Sequence, residues 1–129
     1  MREICLTGKV FSGSGEGARF IELSWVKEQI SEKLGFIPYL GTLNIRLAES
    51  GIYNKGLLRK AKSVDICPTE DFCQGKCFEA YFMGKLKCAI IFPEVADYPE
   101  DVIEIIASAN LREKFRLKDG DLVNVTIKL

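Results

Sequence analysis

Three glycines fall within five positions, at Gly13, Gly15 and Gly17, directly after a predicted strand that ends at Phe11. Glycine takes backbone conformations with positive φ at no steric cost, so a ligand can approach the main chain closely. Successive N–H groups in such a loop form a concavity that suits an anion, typically a phosphate. Because many glycine-rich loops are only tight turns, the loop by itself leaves a phosphate site and a plain turn both open.

The glycine loop differs from the two best-known phosphate-binding motifs. No Lys-Ser or Lys-Thr pair follows the glycines, so this is not a Walker A loop. Residues Phe20–Leu23 are typical of a short strand, whereas a dinucleotide-binding loop opens a helix. Any phosphate bound here would therefore be held by a different kind of loop.

Thr42 and Asn44 form a second candidate pair, about two dozen positions after the loop. On an extended strand, residues two apart point to the same face. Neutral side-chain oxygens beside a phosphate loop suit a Mg²⁺ ion that keeps most of its water. The combination predicts a nucleotide site with one Mg²⁺ ion. The alternative is that both side chains only satisfy their own backbone.

The composition of the chain excludes several classes of protein. The 129 residues are 47% hydrophobic and 28% charged, which predicts one globular domain spanning residues 1–129. The 18 basic and 18 acidic residues cancel without a long run of one sign, so we expect no nucleic-acid partner. The sequence shows neither the apolar stretch of a signal peptide nor a membrane span. We therefore expect a cytoplasmic protein without membrane association.

The sequence contains no histidine. Ser-His-Asp and Cys-His nucleophilic catalysis are therefore excluded, as is any zinc site with a His ligand. Acid–base chemistry would fall to carboxylates, Lys, Tyr or Cys. Phosphoryl transfer depends mainly on positioning and electrostatics, so it is compatible with this restriction.

Five cysteines occur, at positions 5, 67, 73, 77 and 88. An odd number in a chain without a secretory signal indicates reduced thiols. Their spacing lacks the paired C-x2-C units of structural zinc sites, so a metal role is not favoured. Cys77 and Cys88 fall in predicted strands, where a free Cys behaves as a small buried hydrophobe.

One helix is predicted from Trp25 to Leu34, where apolar residues recur every four positions. Ser24 is predicted as its N-cap, and Gly35 stands where a helix commonly ends. Residues 48–62 are weakly patterned and are predicted as loop with a little helix.

Two predicted strands carry candidate site residues. From Thr42 to Leu47 apolar and polar residues alternate, so the polar set, which includes Asn44, faces away from the core. From Asp101 to Ala107 the period is ambiguous. Interpreted as a strand, this stretch sets Glu104 among apolar neighbours, either as a buried carboxylate held in a fixed geometry or as an exposed edge residue. Many short strands and one main helix predict a mainly β fold, a small closed barrel with helical decoration.

Several spaced motifs occur in order along the chain. They are Gly8-x-Val10-x-Ser12-Gly13-x-Gly15-Glu16-Gly17, Pro38-Tyr39-x-Gly41-Thr42-Leu43-Asn44, Ile103-Glu104-Ile105-Ile106-Ala107, Leu111-Arg112-Glu113 and Lys118-Asp119-Gly120-Asp121. This set resembles the archaeal CTP-dependent riboflavin kinase family over nearly the whole chain. Several motifs in order are far more specific than one glycine loop.

The resemblance implies a compact six-stranded barrel of the cradle-loop type. It also implies a kinase that transfers the terminal phosphate of CTP to the 5′-hydroxyl of riboflavin, giving FMN and CDP, with Mg²⁺ as cofactor. Riboflavin and CTP would be its small-molecule partners, and we expect a monomer.

The family's pattern also implies which residues bind each ligand. Thr42 and Asn44 would coordinate Mg²⁺, and Glu104 would contact the flavin. A threonine makes the family's second flavin contact, and Ala96 stands at that position here, so we expect that contact to be lost or supplied by a neighbour. The nucleotide would be bound by Ser14, Gly15, Glu16, Gly17, Ala18, Arg19, Ala109, Asn110, Leu111 and Arg112.

The chemistry of the residues agrees with a kinase. Glu104 is the candidate for orienting the attacking hydroxyl or accepting its proton. Arg19 and Arg112 are candidates for neutralising phosphate charge, since a guanidinium meets phosphate in bidentate geometry. Two other classes stay open. One is a non-catalytic flavin- or nucleotide-binding barrel that acts as a sensor, and the other is a DNA-binding swapped-hairpin barrel, against which the balanced charge counts.

Overall fold

The computed structural model describes residues 3–13, 19, 21–67, 75–93 and 98–128. Within these ranges the strands are β1 (Glu3–Phe11), β2 (Leu43–Leu47), β3 (Val64–Ile66), β4 (Gly75–Phe82), β5 (Leu86–Pro93), β6 (Val102–Ala107) and β7 (Leu122–Lys128). The helices are α1 (Ser24–Leu34), α2 (Glu49–Gly56), which continues into a 3₁₀ turn at Leu57–Lys60, and α3 (Leu111–Lys114). In this described part, every helix is too short or too polar to cross a membrane.

Six of these strands close into an antiparallel barrel. Their order is β4-β5-β6-β2-β1-β7, and β7 pairs back with β4 through Tyr81↔Thr126 and Phe82↔Val125. The short β3 adds to the other end of β4, where Ile66 pairs with Gly75. The closed barrel predicted from the strand pattern is confirmed, as is the six-stranded form that the family resemblance implies, with β3 as an additional strand.

Alternate residues of the strands fill the barrel interior. In β2 the inward residues are Leu43, Ile45 and Leu47, as the predicted alternation requires. The interior cluster comprises Ile4, Leu6, Val10, Leu43, Ile45, Leu47, Leu58, Phe78, Ala80, Phe82, Cys88, Ile90, Ile103, Ile105, Ala107, Leu111, Val123, Val125 and Ile127. Residues of opposite parity, among them Asn44 and Glu104, are therefore left on the outer face of the sheet.

Helix α1 covers part of this outer face. Its Val26, Ile30 and Leu34 are buried, which confirms the predicted periodicity. They pack with Ile91 of β5 and Ile106 of β6 in a second apolar cluster. The sheet therefore has a core on each side, and the outer one lies beside Glu104.

The C-terminal end of α1 is predicted correctly, whereas its N-cap is predicted wrongly. Gly35 has a φ of 79°, in the left-handed region that favours glycine, and its N–H donates to the carbonyl of Ser31 at 3.1 Å. At the start, Leu23 and not Ser24 is the N-cap residue. Its extended backbone already presents the carbonyl that accepts from Val26 at 3.1 Å, so Ser24 is the first helical residue.

The predicted strand Phe20–Leu23 is also wrong. Ile21 is helical, Glu22 lies in a turn and Leu23 in a bend, while Phe20 lies outside the described residues. Ile21 is fully buried in the apolar cluster under α1. Four residues are too few to separate a strand period from a helical turn, and tertiary burial decides the outcome here.

Residues 48–62 are mostly helical rather than mostly loop. The buried residue of α2 is Gly51, which lies where a Cβ would be 3.0 Å from the Cβ of Leu47 and 3.2 Å from the carbonyl oxygen of Thr7. A helix that packs closely through a glycine carries no apolar stripe at this point. For that reason its sequence resembles a loop.

Candidate active site

Glu104 is the one charged side chain that the described part of the chain buries almost completely, with 1% of its surface exposed. It is in register with Asn44 on β2 and with Ile91 on β5. Its strand neighbours Ile103 and Ile105 belong to the interior cluster, so the carboxylate leaves β6 on the outer face. Burial of a carboxylate is unfavourable unless hydrogen bonds compensate for the lost water.

Both oxygens of Glu104 accept a hydrogen bond. The Oγ1 hydroxyl of Thr42 donates to Oε1 at 2.7 Å, and the hydroxyl of Tyr98 donates to Oε2. The buried alternative for Glu104 is confirmed, and the exposed edge alternative is wrong. Two hydroxyl donors on opposite sides fix the orientation of the carboxylate, which is what a proton acceptor in a defined position requires.

The Asn44 amide lies against the start of the glycine loop. A Cβ on Gly13 would be 2.5 Å from the Oδ1 of Asn44, so only a glycine fits at residue 13 with the amide in this position. Asn44 is half-buried and faces the same side of β2 as Arg46. Within the described residues no hydrogen bond occupies its amide oxygen, which leaves that oxygen available to a ligand.

The oxygens of Thr42 and Asn44 fit a hydrated Mg²⁺ ion. The Thr42 hydroxyl donates its proton to Glu104 and keeps its lone pairs for a further partner. Together with the free Oδ1 of Asn44, this gives two neutral oxygens at the edge of a buried negative charge. Such a donor set suits a hard cation that keeps most of its water. In the described ranges no three His, Cys, Asp or Glu side chains gather into another metal cluster.

A cavity of about 240 Å³ opens beside the carboxylate. Arg46 forms part of its wall, with its guanidinium carbon 4.5 Å from the centroid of the Phe11 ring and its Nε 3.7 Å from a carboxylate oxygen of Asp101. The lining residues are Phe11, Ser12, Gly13, Asn44, Arg46, Tyr98, Pro99, Val102 and Glu104. We call this the acceptor cavity, because the Glu104 carboxylate on its wall accepts two hydrogen bonds.

A second cavity, of about 130 Å³, lies on the other side of Thr42. Its lining residues are Tyr39, Gly41, Thr42, Leu43, Ile105, Ala107, Ala109, Asn110, Leu111 and Arg112. Asn110 caps α3, because its Oδ1 accepts from the N–H of Glu113 at 3.2 Å, and its Nδ2 donates to the hydroxyl of Tyr39 at 3.2 Å. We call this the donor cavity, because Thr42 on its wall donates the hydrogen bond to Glu104. The Thr42–Glu104 hydrogen bond joins a residue of its wall to a residue of the acceptor cavity.

Arg112 is held by an ion pair at the edge of the donor cavity. Its guanidinium donates to Oδ1 of Asp119 at 2.6 Å, and the hydroxyl of Ser12 donates to Oδ2 of the same carboxylate at 3.1 Å. The hydrogen bond from Arg112, aided by that from Ser12, lowers the pKa of Asp119 below its ordinary value. Asp119 therefore connects the residue before the glycine loop with a predicted nucleotide-binding arginine.

The structure brings together one group of the predicted site residues and leaves another group untested. Thr42, Asn44 and Glu104 converge, and Ala109, Asn110, Leu111 and Arg112 line the adjoining cavity. Arg19 is exposed to solvent. The predicted residues Ser14, Gly15, Glu16, Gly17, Ala18 and Ala96 lie outside the described residues.

Tyr98 and Asp119 are site residues that the sequence reasoning missed as such. Tyr98 reaches Glu104 only because the chain turns at Glu100 and Asp101 before β6 begins. Asp119 belongs to the motif Lys118-Asp119-Gly120-Asp121, but its role depends on a contact with Ser12 more than a hundred residues away. Spacing in the sequence signals neither contact.

The cysteines take no part in this site within the described residues. Cys77 and Cys88 are free and buried, and burial raises the pKa of each thiol to about 12, which keeps both unreactive. Cys5 is free and exposed. The expectation of reduced thiols is right for these three and wrong for Cys67, which is disulfide-bonded.

Comparison with known proteins places the chain in a family. The family model named for CTP-dependent riboflavin kinases, and described as a domain of unknown function, DUF120, matches residues 10–127. The chain belongs to this family. The riboflavin kinase family resemblance drawn from the motifs is therefore confirmed.

Curated relatives of the family carry the name riboflavin kinase. The protein of Methanosarcina barkeri is 39% identical over 127 residues, which cover 95% of this chain and 56% of the relative. That of Archaeoglobus fulgidus is 39% identical over 130 residues, covering 98% and 55%. That of Pyrobaculum aerophilum is 41% identical over 133 residues, covering 98% and 61%. The chain thus spans a little over half the length of the relatives that it matches.

Proposed function

We propose that this chain phosphorylates riboflavin, taking the terminal phosphate of CTP and releasing FMN and CDP. The observation that carries the proposal is the buried Glu104 carboxylate, which lines the acceptor cavity, accepts a hydrogen bond from Thr42 of the donor cavity and accepts a second one from Tyr98. Membership of the family supports riboflavin as acceptor, since the relatives are named riboflavin kinase. The family's name supports CTP as donor.

The acceptor cavity would take the ribityl end of riboflavin. Its 5′-hydroxyl would lie within hydrogen-bond reach of Glu104, which orients the oxygen and takes its proton as attack proceeds. The 5′ oxygen forms a bond to the terminal phosphorus, and the bond from phosphorus to the bridging oxygen breaks. The electron pair of the broken bond leaves with CDP, and the proton stays on Glu104 until solvent removes it.

The donor cavity and the glycine loop would hold the nucleotide. The N–H groups of residues 14–18 would contact phosphate oxygens, and Arg112 would neutralise phosphate charge from the other side. Arg19 would add a second cation at the end of the same loop. Residues Ala109–Arg112 would line the pocket beside Tyr39.

Thr42 and Asn44 would hold the Mg²⁺ ion through their neutral oxygens. When bound, the ion supplies charge neutralisation for the phosphates. The chain's own contribution is to place these two oxygens at the boundary between the two cavities. Gly13 leaves room for the Asn44 amide to stay there.

The proposal is tested by measuring FMN formation from riboflavin and Mg²⁺ with CTP, ATP, GTP or UTP as donor. Product with CTP alone is expected. Product with ATP instead would retain the kinase and remove CTP as donor. Absence of product with every donor, together with retained riboflavin binding, would overturn the enzyme and favour the sensor barrel.

A further inference from the structure

Lys55 connects helix α2 to the segment that precedes β6. Its Nζ donates to the carbonyl oxygen of Glu100 at 3.1 Å and to that of Val102 at 3.0 Å. Backbone carbonyls two residues apart are thus bound by one ammonium group. On the other side, the N–H of Leu47 donates to the carbonyl of Asp101 at 2.7 Å. Residues 100–102 are therefore fixed from both α2 and β2.

The same ammonium lies near two aromatic rings. It is 5.1 Å from the ring centroid of Phe92 and 5.9 Å from that of Tyr98. A cation at these distances is attracted to the negative face of an aromatic ring. Burial lowers the pKa of Lys55, and the charges of Glu100 and Asp101 oppose that effect. The lysine is thus a partly desolvated cation that contacts Phe92 and the segment 98–102.

One side chain of residues 98–102 contacts the Glu104 carboxylate. Tyr98 begins the segment, and its hydroxyl donates to Oε2 of Glu104. The side chain of Lys55 does not reach the acceptor cavity itself, because it lines a separate cavity of about 370 Å³ with Phe78 and Phe92. Lys55 can therefore affect the carboxylate only indirectly, through Tyr98 or through the backbone of Val102, both of which line the acceptor cavity.

We propose that Lys55 is a positioning residue of this active site, which holds the segment 98–102 so that the Tyr98 hydroxyl orients Glu104. The proposal rests on the proposed function, because it assigns a purpose to the orientation of the proton acceptor. Without the ammonium, the carbonyls of Glu100 and Val102 lose their donor and the segment loosens. The Tyr98 hydroxyl then leaves Oε2, while the hydrogen bond from Thr42 to Oε1 of Glu104 remains.

The first test is a double-mutant cycle with Lys55→Met, Tyr98→Phe and the double variant, with kcat and the KM for the nucleotide measured for each. We expect each single variant to lower kcat about tenfold. If Lys55 acts through Tyr98, the kcat of the double variant lies no more than about twofold below that of the slower single variant. The KM for the nucleotide stays at its wild-type value, because the donor cavity is untouched. Lys55→Arg, which keeps a cation and its donors, restores most of kcat.

Two kinetic outcomes would overturn the proposal. One is a wild-type kcat in Lys55→Met. The other is a double variant whose loss is the product of the two single losses, about a hundredfold, which would mean independent roles. Lys76→Met is the matched control, since Lys76 is an exposed lysine of β4 that lines the same cavity as Lys55. It should keep the wild-type kcat.

A second test needs no activity. Protein labelled with ¹³C at the tyrosine ζ carbon gives one signal for each of four tyrosines, and Tyr98→Phe identifies the signal of Tyr98. Lys55→Met should move that signal towards its position in Glu104→Gln, whereas Lys76→Met should leave it in place. An unmoved signal in Lys55→Met overturns the positioning role. A moved signal in a protein that makes no FMN would sustain the positioning role and overturn the proposed function instead.

Discussion

The two faces of strand β6 are built for different purposes. On the inner face, Ile103, Ile105 and Ala107 join an apolar core that closes the barrel. On the outer face, Ile106 packs under α1, and two residues earlier Glu104 lies at the edge of that apolar cluster with two hydroxyl donors. Six consecutive buried residues therefore carry both the packing of the fold and the charge of the site. The strand period of two keeps the two purposes apart.

The largest effect is expected when the charge on the outer face of β6 is removed and the shape of the side chain is kept. Glu104→Gln should lower kcat about 10³-fold, because the proposed proton acceptor is lost while the side-chain volume is kept. The free energy of unfolding should change little, since the amide also accepts a hydrogen bond. Steady-state kinetics and urea unfolding measure the two effects. Glu79→Gln on β4, an exposed carboxylate paired with Lys87, is the matched control and should leave kcat unchanged.

The complementary change removes volume from the interior cluster that the inner face of β6 joins, at Phe82 of β4. Phe82 is fully buried, and its ring centroid is 5.0 Å from that of Phe115. Phe82→Ala should lower the free energy of unfolding by about 3 kcal/mol through the lost burial and the cavity left behind. Urea unfolding measures this loss. The KM values of the folded fraction should stay at wild type, and a raised KM for either substrate would contradict the separation of the two faces.

A smaller effect is expected at the contact between the glycine loop and the outer face. Gly13→Ala should push the Asn44 amide aside, because the added Cβ would lie 2.5 Å from its Oδ1. The Mg²⁺ concentration needed for half-maximal activity should rise about tenfold, as for other changes next to a metal ligand.

Gly56→Ala provides the control for this substitution. Gly56 has helical backbone angles and no atom within 4 Å of an added Cβ, so the change should leave the Mg²⁺ dependence unaltered. Equal Mg²⁺ dependence in the two alanine variants would exclude Asn44 from the proposed Mg²⁺ site.

The smallest effect on stability is expected at Asp119, which is exposed. Because its pKa is lowered in the folded protein from an ordinary value of 3.8, the ion pair with Arg112 stabilises the fold above that value. This stabilisation is lost as the pH falls through the lowered pKa. The urea midpoints of wild type and Asp119→Asn should therefore differ near about pH 6 and converge in acid. A difference that grows on acidification would contradict this sign.

The thiols give a comparison that needs no substitution. A thiol reagent at neutral pH should label Cys5 in the folded protein and leave Cys77 and Cys88 unlabelled until urea is added. Peptide mapping after labelling distinguishes the sites. Rapid labelling of Cys88 would show that the barrel interior opens on the timescale of the reaction.

The sequence was sufficient to predict the features that depend on local periodicity. The alternation of β2 predicted that Asn44 and Arg46 face away from the core, and residues 101–107, interpreted as a strand, gave Glu104 the parity opposite to Ile105. The helix α1 followed from its four-residue spacing. Each of these predictions needed only a repeat length and enough residues to define it.

The features that the sequence did not predict depend on contacts between distant segments. Helix α2 was missed because its buried residue is Gly51, whose role exists only against β1 and β2. Tyr98 was missed because a turn brings its hydroxyl to Glu104. The roles of residues 14–18 and of Ala96 stay predictions, since they lie outside the described residues.

The register of β6 has a consequence for folding itself. A slip of one residue between β2 and β5 would turn Glu104 into the barrel interior, away from the hydroxyls of Thr42 and Tyr98. An unpaired carboxylate buried there would cost several kcal/mol, on the order of the whole stability of a small domain. Misaligned sheets would therefore be eliminated by the same carboxylate that we propose as proton acceptor. In this barrel the buried Glu104 also selects the correct alignment of its own strand.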